Sequence, residues 1–325
     1  MSNDYFLIVR ELKKYYPARI NVFGKPTAQV KAVDGVTLLV RKGETLGLVG
    51  ESGCGKSTLA RCILRLEEPT EGRVFLEDQD ILKLGRRALR RLRRDMQMIF
   101  QDPYSSLNPH KNVGQIIGDA YAIHGTFSRR KRQEKVKELL EIVGLHPEDF
   151  NRYPHEFSGG QRQRIGVARA LALNPKLVVA DEPLSALDVS VQAQILNLLV
   201  NLQGEFGLTY IFISHDLSVV RHISDVLAVM YLGTIVEIGS THQLFRHPLH
   251  PYTEALISAV PVPNRESRRE RIILQGDVPS PVNIPSGCRF HPRCRYRQRL
   301  CTINEPTILE ADVRHWVACH FPRPY

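Results

Sequence analysis

A glycine-rich segment runs from Gly50 to Ser57 and fits the pattern G-x-x-x-x-G-K-[ST]. It follows a short apolar run, Thr45–Val49, which is typical of a buried strand, and it opens an expected helix over Ser57–Leu66. In that setting glycines let backbone N–H groups surround phosphate oxygens, while the lysine adds a positive charge and the last hydroxyl can bind Mg²⁺. We therefore expect a nucleotide phosphate site made by Gly50, Ser52, Gly53, Gly55, Lys56, Ser57 and Thr58.

Two carboxylates, Asp181 and Glu182, follow a second apolar run, Leu177–Ala180. The carboxyl ends of parallel strands are where an α/β sheet places its ligand. Asp181 can hold Mg²⁺ directly or through water, and Glu182 can orient or deprotonate an attacking water. His215, after the expected strand Tyr210–Ser214, can contact the terminal phosphate. These residues predict a site that hydrolyses a phosphoanhydride.

The segment Phe157–Arg164, which reads FSGGQRQR, closely resembles the signature motif of the ABC ATPases, with phenylalanine where leucine is commoner. The order and spacing of the other motifs fit that family over residues 5 to 240. The resemblance matches Gln101 to the Q-loop, Ser185–Asp188 to the D-loop and His215 to the switch histidine of the H-loop. It implies ATP and Mg²⁺, with catalysis by Glu182, His215 and Gln101, metal binding by Ser57, Gln101 and Asp181, and nucleotide contact by Asp188.

The family's adenine-stacking aromatic residue is expected at Tyr16. Tyr15 lies beside it, so the sequence leaves open which of the two rings meets the base. The resemblance therefore implies one aromatic contact to adenine without fixing its register.

The signature also has a chemistry of its own. Ser158, Gly159, Gly160 and Gln161 stand at the start of an expected helix over Gln161–Ala172, where free N–H groups can bind an anion. An ordinary helix cap is the alternative. Because the chain has one phosphate loop, the resemblance implies head-to-tail dimerisation, in which each signature covers the ATP held by the other subunit.

Alternation of apolar runs with helical periodicity predicts an α/β fold. The resemblance implies a P-loop NTPase of ABC type with an N-terminal antiparallel β subdomain and a helical insertion over about residues 85–172. Residues 1–260 would form the ATPase domain. Residues 261–325, rich in proline and poor in periodicity, would form a small extension that contains four cysteines.

The four cysteines of that extension are Cys288, Cys294, Cys301 and Cys319. The C-x₂₋₄-C pairs that are usual in zinc sites are missing, and four thiolates can hold an iron–sulfur cluster. The extension resembles that of dipeptide and oligopeptide permease ATPases, some of which carry a [4Fe–4S] cluster. A cluster, zinc or no metal remain the alternatives.

The apolar runs, the first ten residues and the net charge indicate where the protein works and what it binds. Apolar runs are too short for a membrane helix, and the first ten residues lack a signal peptide's basic and apolar parts. We expect a peripheral protein on the cytoplasmic face of the inner membrane. The net charge of +10 suits an anionic partner without choosing one.

Over its whole length the chain is most similar to the ATPases of dipeptide and oligopeptide importers. This resemblance implies two transmembrane permease subunits, a second related ATPase subunit in a heterodimer or homodimer, and an extracytoplasmic peptide-binding protein. Importers of nickel or other small solutes use the same machine and remain an alternative. A soluble ABC ATPase acting on nucleic acid or ribosomes is disfavoured because tandem ATPase domains and a long coiled-coil insertion are absent, so no nucleic-acid partner is expected.

Overall fold

A computed structural model describes residues 4–20, 26–125, 127–260 and 270–323. The chain forms two compact units. The first combines residues 1–82 with residues 214–325, and the second comprises residues 83–213.

Strands occur in both units. In chain order they are β1 (Leu7–Ile20), β2 (Pro26–Val40), β3 (Thr45–Val49), β4 (Glu71–Leu76), β5 (Gln79–Asp80), β6 (Met96–Ile99), β7 (Leu177–Asp181), β8 (Thr209–Ile213), β9 (Val226–Tyr231), β10 (Thr234–Ser240), β11 (Leu309–Asp312) and β12 (His315–Val317). The helices are α1 (Lys56–Ile63), α2 (Arg86–Leu92), α3 (Val113–His124), α4 (Arg129–Ile142), α5 (Gly159–Leu171), α6 (Val189–Phe206), α7 (Leu217–Ile223), α8 (Thr241–Arg246), α9 (Pro251–Ser258) and α10 (Arg299–Ile303).

The first unit begins with an antiparallel sheet. Its strands follow the order β2-β1-β4-β5, with Leu7 opposite Val40. Val36, Leu38 and Val40 are buried at alternate positions of β2, as expected when one face of a sheet covers a core. The prediction of an antiparallel N-terminal β region is confirmed.

A second sheet of the first unit carries the phosphate loop. Its strands β3 and β9 pair in parallel, and β10, β12 and β11 continue it in antiparallel pairs. All five residues of β3 are buried, in agreement with the buried strand expected over Thr45–Val49. In β12, Val317 pairs with Glu237 of β10, so part of the C-terminal region joins this sheet. The boundary proposed near residue 260 stays a prediction.

The second unit contains three parallel strands in the order β8-β7-β6, with Ile99 opposite Ala180 and Asp181 opposite Ile213. Helices α2 to α6 belong to the same unit. Ser128 caps α4, since its side chain accepts from Lys131 N. Strand β6 lies within the region expected to be helical; its four residues are too few for periodicity to separate strand from helix.

Within the described ranges, no helix has the length and apolar character needed to cross a bilayer.

Candidate functional site

The loop between β3 and α1 approaches neighbouring backbone so closely that two of its positions require glycine. Gly50 and Gly55 have φ angles of 153° and 109°. A Cβ at Gly50 would lie 2.2 Å from Met230 O, and one at Gly55 would lie 2.0 Å from Ala32 O. Since backbone cannot yield as a side-chain end can, both positions exclude larger residues. The loop thereby delivers the N-terminus of α1, whose first N–H groups suit an anion.

Lys56 begins α1, and its ammonium group lies over the loop. Its Nζ donates to Gly50 O at 2.8 Å and to Glu51 O at 3.1 Å, and Cys54 Sγ lies 3.8 Å away. Only 5% of Lys56 is exposed. Cys54 is buried against this ammonium, and burial raises the pKa of its thiol.

The remaining phosphate-loop residues divide between the tip and the helix. Ser52 and Gly53 form the exposed tip, whereas Ser57 and Thr58 are half-buried in the first turn of α1. The predicted segment is therefore one continuous loop followed by two hydroxyl side chains. This donor set fits the phosphates and metal ion expected there.

Tyr15 and Tyr16 of β1 have different neighbours. The Tyr16 hydroxyl donates to Glu67 and also interacts with Thr58, and burial raises the pKa of Tyr16 to about 12. The Tyr15 hydroxyl instead donates to Asp34. Tyr16 is thus the tyrosine beside the phosphate-loop helix.

His215 lies in the turn that leads into α7 and is exposed. On its C-terminal side, the Asp216 side chain accepts from Ser218 N at 2.8 Å and caps the helix. The Asp216 N–H donates to Ser214 Oγ at 3.0 Å. The backbone on both sides of His215 is therefore fixed while the residue itself remains accessible.

In the second unit, Gln101 and Glu182 meet at the carboxyl ends of β6 and β7. Gln101 Nε2 donates to Glu182 Oε2 at 2.9 Å. Asp181, the last residue of β7, is 3% exposed. Because Gln101 donates through nitrogen, its amide oxygen is the atom able to ligate a metal. The sequence-predicted pair of carboxylates and the Q-loop glutamine are thus brought to one strand edge.

The signature residues form the N-terminus of the 13-residue helix α5. Ser158 Oγ accepts from Gln161 N at 3.3 Å, and Gln161 Oε1 accepts from Ser158 N at 3.0 Å. This reciprocal cap leaves the N–H groups of Gly159 and Gly160 at a helix start, where no intrahelical acceptor exists. The segment is therefore both a stable cap and a place where an anion can bind.

The D-loop lies against the signature. A Cβ at Gly160 would be 2.4 Å from Val191 Cγ1 of α6, and one at Gly159 would be 3.4 Å from Leu187 Cδ2. Asp188 is exposed immediately before α6. The absence of side chains at the two glycines thus allows the signature and D-loop to pack together in the second unit.

Two arginines of α5 hold the segment that follows Gln101, and the sequence did not single them out. The Arg162 guanidinium lies 4.1 Å from the centre of the Tyr104 ring. Arg169 Nη1 donates to Ser106 O at 2.6 Å, across 63 residues of chain. No local pattern signals such distant contacts. They fix the segment while Tyr104 remains 59% exposed.

The four C-terminal cysteines lie in one region of the first unit. Cys319 interacts electrostatically with the other three, and Cys288 N donates to Cys301 O at 2.8 Å. Burial raises the pKa of Cys288 to about 11 and that of Cys319 to about 12. Yet within the described part of the chain, no three His, Cys, Asp or Glu side chains are arranged to hold a metal ion. The structure thus does not support the iron–sulfur alternative: the four thiols are close enough to interact, but they do not form a group with the arrangement that a metal ion needs.

Two family models match the sequence. The model described as ABC transporter matches residues 33–185. The model described as Oligopeptide/dipeptide transporter, C-terminal region, matches residues 236–301. The two matches cover the phosphate loop, the signature and three of the four C-terminal cysteines.

Relatives with known names extend over almost the whole chain. The oligopeptide transport ATP-binding protein AppF of Bacillus subtilis is 55% identical over 98% of this chain and 98% of its own. The dipeptide transport ATP-binding protein DppF of Escherichia coli is 53% identical over 92% of this chain and 89% of its own. A solved dimeric ATP-binding cassette, in a post-hydrolysis state bound to ADP and Pi, has a TM-score of 0.64 at 29% identity over 72% of this chain and 98% of that one. The chain is an α/β ABC-type ATPase and belongs to the ATP-binding proteins of the oligopeptide/dipeptide ABC transporter family.

Proposed function

We propose that this chain hydrolyses MgATP to drive the import of di- and oligopeptides through a membrane permease. The observation that carries the proposal is the hydrogen bond from Gln101 Nε2 to Glu182 Oε2 at the ends of two parallel strands. It holds a carboxylate in place as a base, in a chain that also carries a complete phosphate loop.

Binding of ATP begins in the first unit. The Tyr16 ring stacks on adenine, a role supported by its place beside Thr58 at the start of α1. The phosphates accept hydrogen bonds from the loop backbone, and Lys56 exchanges its carbonyl partners for phosphate oxygens. The residues in this role are Gly50, Ser52, Gly53, Gly55, Lys56, Ser57 and Thr58.

Hydrolysis requires a positioned water and stabilised charge. Glu182 accepts a proton from the attacking water. The water oxygen bonds to the γ-phosphorus, and the bond between that phosphorus and the oxygen that bridges to the β-phosphate breaks, which releases ADP. His215 contacts the γ-phosphate. Mg²⁺, when bound, offsets the negative charge of the phosphate oxygens. Ser57, Asp181 and Gln101 offer the hydroxyl, carboxylate and amide oxygens that this ion prefers.

A second ATPase subunit completes each site. The N–H groups of Gly159 and Gly160, together with the side chains of Ser158 and Gln161, contact the ATP bound by the partner, and Asp188 lies at the same interface. The helix start at α5 supports this role. The partner is a related ATPase or a second copy of this chain.

Coupling to transport uses the segment after Gln101. Tyr104 is exposed and Arg162 stacks on it, so this segment offers a fixed aromatic surface to a permease. Two transmembrane permease subunits and an external peptide-binding protein complete the importer, and the chain works at the cytoplasmic face of the membrane.

Peptide uptake by a strain that lacks this chain tests the proposal. Restoring the wild-type chain should recover uptake of labelled dipeptides and oligopeptides, and restoring Glu182→Gln should not. Recovery of nickel uptake alone would replace peptides as the cargo. Co-purification with nucleic acid or ribosomes from a membrane-free fraction would overturn the transport role while leaving the ATPase activity in place.

The finer proposal of a [4Fe–4S] cluster at Cys288, Cys294, Cys301 and Cys319 is supported only by the closeness of the four thiols. Cluster binding would need these side chains to turn toward a common centre and lose their protons. Iron and acid-labile sulfide in anaerobically purified protein, lost in Cys288→Ser, would support it. Zinc alone, or no metal in either protein, would overturn it.

A further inference from the structure

An ion pair connects the C-terminal region with the phosphate loop inside the first unit. Arg293, in a 3₁₀ turn over His291–Arg293, donates from Nη1 to Glu51 Oε2 at 2.6 Å and from Nη2 to Glu51 Oε1 at 3.0 Å. The Arg293 side chain is 7% exposed and that of Glu51 is 27% exposed. Such two-pronged, charge-assisted pairs are the strongest and most directional of protein hydrogen bonds.

Arg293 closely follows a residue of a buried aromatic cluster in the same chain. Phe290 lies 5.3 Å from the Tyr231 ring and 5.3 Å from the Tyr252 ring, measured between ring centres. Phe290 is 1% exposed and precedes Arg293 by one turn. The Tyr252 hydroxyl accepts from Glu51 N at 2.9 Å. The cluster thus contacts the backbone of Glu51, and the neighbouring Arg293 binds the Glu51 side chain.

Glu51 lies at a position where its charge matters for the ligand. It directly follows Gly50, and its carbonyl oxygen accepts from Lys56 Nζ. A bare carboxylate within the loop would repel the phosphates of ATP, since like charges a few ångströms apart interact strongly near a protein surface. We infer that Arg293 is a further ATP-binding determinant, which neutralises and positions the Glu51 carboxylate beside the phosphate site. This inference rests on the proposed ATPase function.

Four variants test the role of the charge in the purified full-length chain. Arg293→Ala should weaken ATP binding about tenfold, equal to about 1.4 kcal/mol, and should change AMP binding far less because fewer phosphates are repelled. Arg293→Lys should lose less ATP affinity than Arg293→Ala, because the ammonium group keeps the positive charge but cannot make the two parallel hydrogen bonds of the guanidinium. The ATP affinity of Glu51→Gln should stay within about twofold of that of the wild type. Adding Glu51→Gln to Arg293→Ala should restore most of the ATP affinity.

The control is Arg295→Ala, since Arg295 is half-exposed and pairs with Glu254 instead. It should leave ATP affinity unchanged, and melting temperatures should show that the variants are folded. Unchanged ATP affinity in Arg293→Ala would overturn the inference and leave the proposed function intact. A loss of ATP affinity in Glu51→Gln as large as that in Arg293→Ala would also overturn it, because removing a carboxylate that Arg293 already neutralises should cost little affinity. A wild-type chain that binds no ATP would overturn the proposed function itself.

Discussion

Gln101 and Glu182 come from neighbouring parallel strands, and Gln101 Nε2 lies 2.9 Å from Glu182 Oε2. Glu182 has φ +46°, a left-handed conformation uncommon for residues other than glycine. Its N–H donates to Ile213 O at 3.0 Å, which holds the backbone there. Strained backbone of this kind is concentrated at functional sites. The Gln101 amide thus fixes one carboxylate oxygen of Glu182 at the strand edge.

Replacing this carboxylate should separate binding from turnover. Glu182→Gln should keep ATP affinity and lower kcat by roughly 10²- to 10³-fold, because an amide cannot accept the proton of the attacking water. Steady-state ATPase assays and binding of a fluorescent ATP analogue measure the two effects. The matched control is Glu205→Gln on the exposed face of α6, which should keep full activity. Near-normal hydrolysis by Glu182→Gln would remove Glu182 from its role.

His250 should make folding stability depend on pH. Burial lowers its pKa to about 4, against 6.5 for the free group, while Glu237 opposes the shift. The folded protein therefore favours the neutral form of His250. Its contribution to the free energy of unfolding is complete above pH 6.5, is lost as the pH falls toward about 4, and changes no further below that. The full loss is roughly 3 kcal/mol.

The comparison variant for that prediction is His250→Asn. His250 caps α9 by accepting from Tyr252 N at 3.0 Å, and asparagine can accept in the same way. Unfolding midpoints measured from pH 7.5 to pH 4 should fall less steeply in the variant. Parallel curves for the two proteins would show that His250 is not the titrating group.

Two glycines at helices of the second unit should respond in opposite ways to alanine. Gly160→Ala would place a Cβ 2.4 Å from Val191 Cγ1 and should separate the signature from α6, lowering both stability and ATPase activity. Gly204→Ala meets nothing within 4 Å and should stabilise α6 by about 0.5–1 kcal/mol. Thermal unfolding with ATPase assays distinguishes the two. Equal effects would show that the Gly160 contact is not limiting.

The sequence predicted best those features that are written in consecutive residues. Strand β3 has the predicted bounds, and the loop glycines stand where the motif requires them, because both depend on short-range sterics and on burial of an apolar run. The cap of α5 by Ser158 and Gln161 follows from the same kind of local signal.

Contacts between distant parts of the chain were beyond the sequence. Arg293 and Glu51 are 242 residues apart, and nothing in either local segment predicts that they meet. The direction in which each cysteine points is likewise set by tertiary packing, so four thiols at suggestive spacing did not yield a metal-holding group among the described residues. Pairing of β12 with β10 depends on the fold in the same way.

The Glu237 carboxylate is fully buried and accepts from Leu249 N at 2.8 Å, from His250 N at 2.9 Å and from His315 Nε2 at 2.7 Å. Expression of the chain truncated at residue 260 would remove His315 together with β12 and open this acid to solvent on one side. Removing one partner of a buried charged pair strongly destabilises the folded protein. We therefore expect the truncated protein to be recovered in inclusion bodies, and useful boundaries for crystallisation or affinity tags lie beyond Val317.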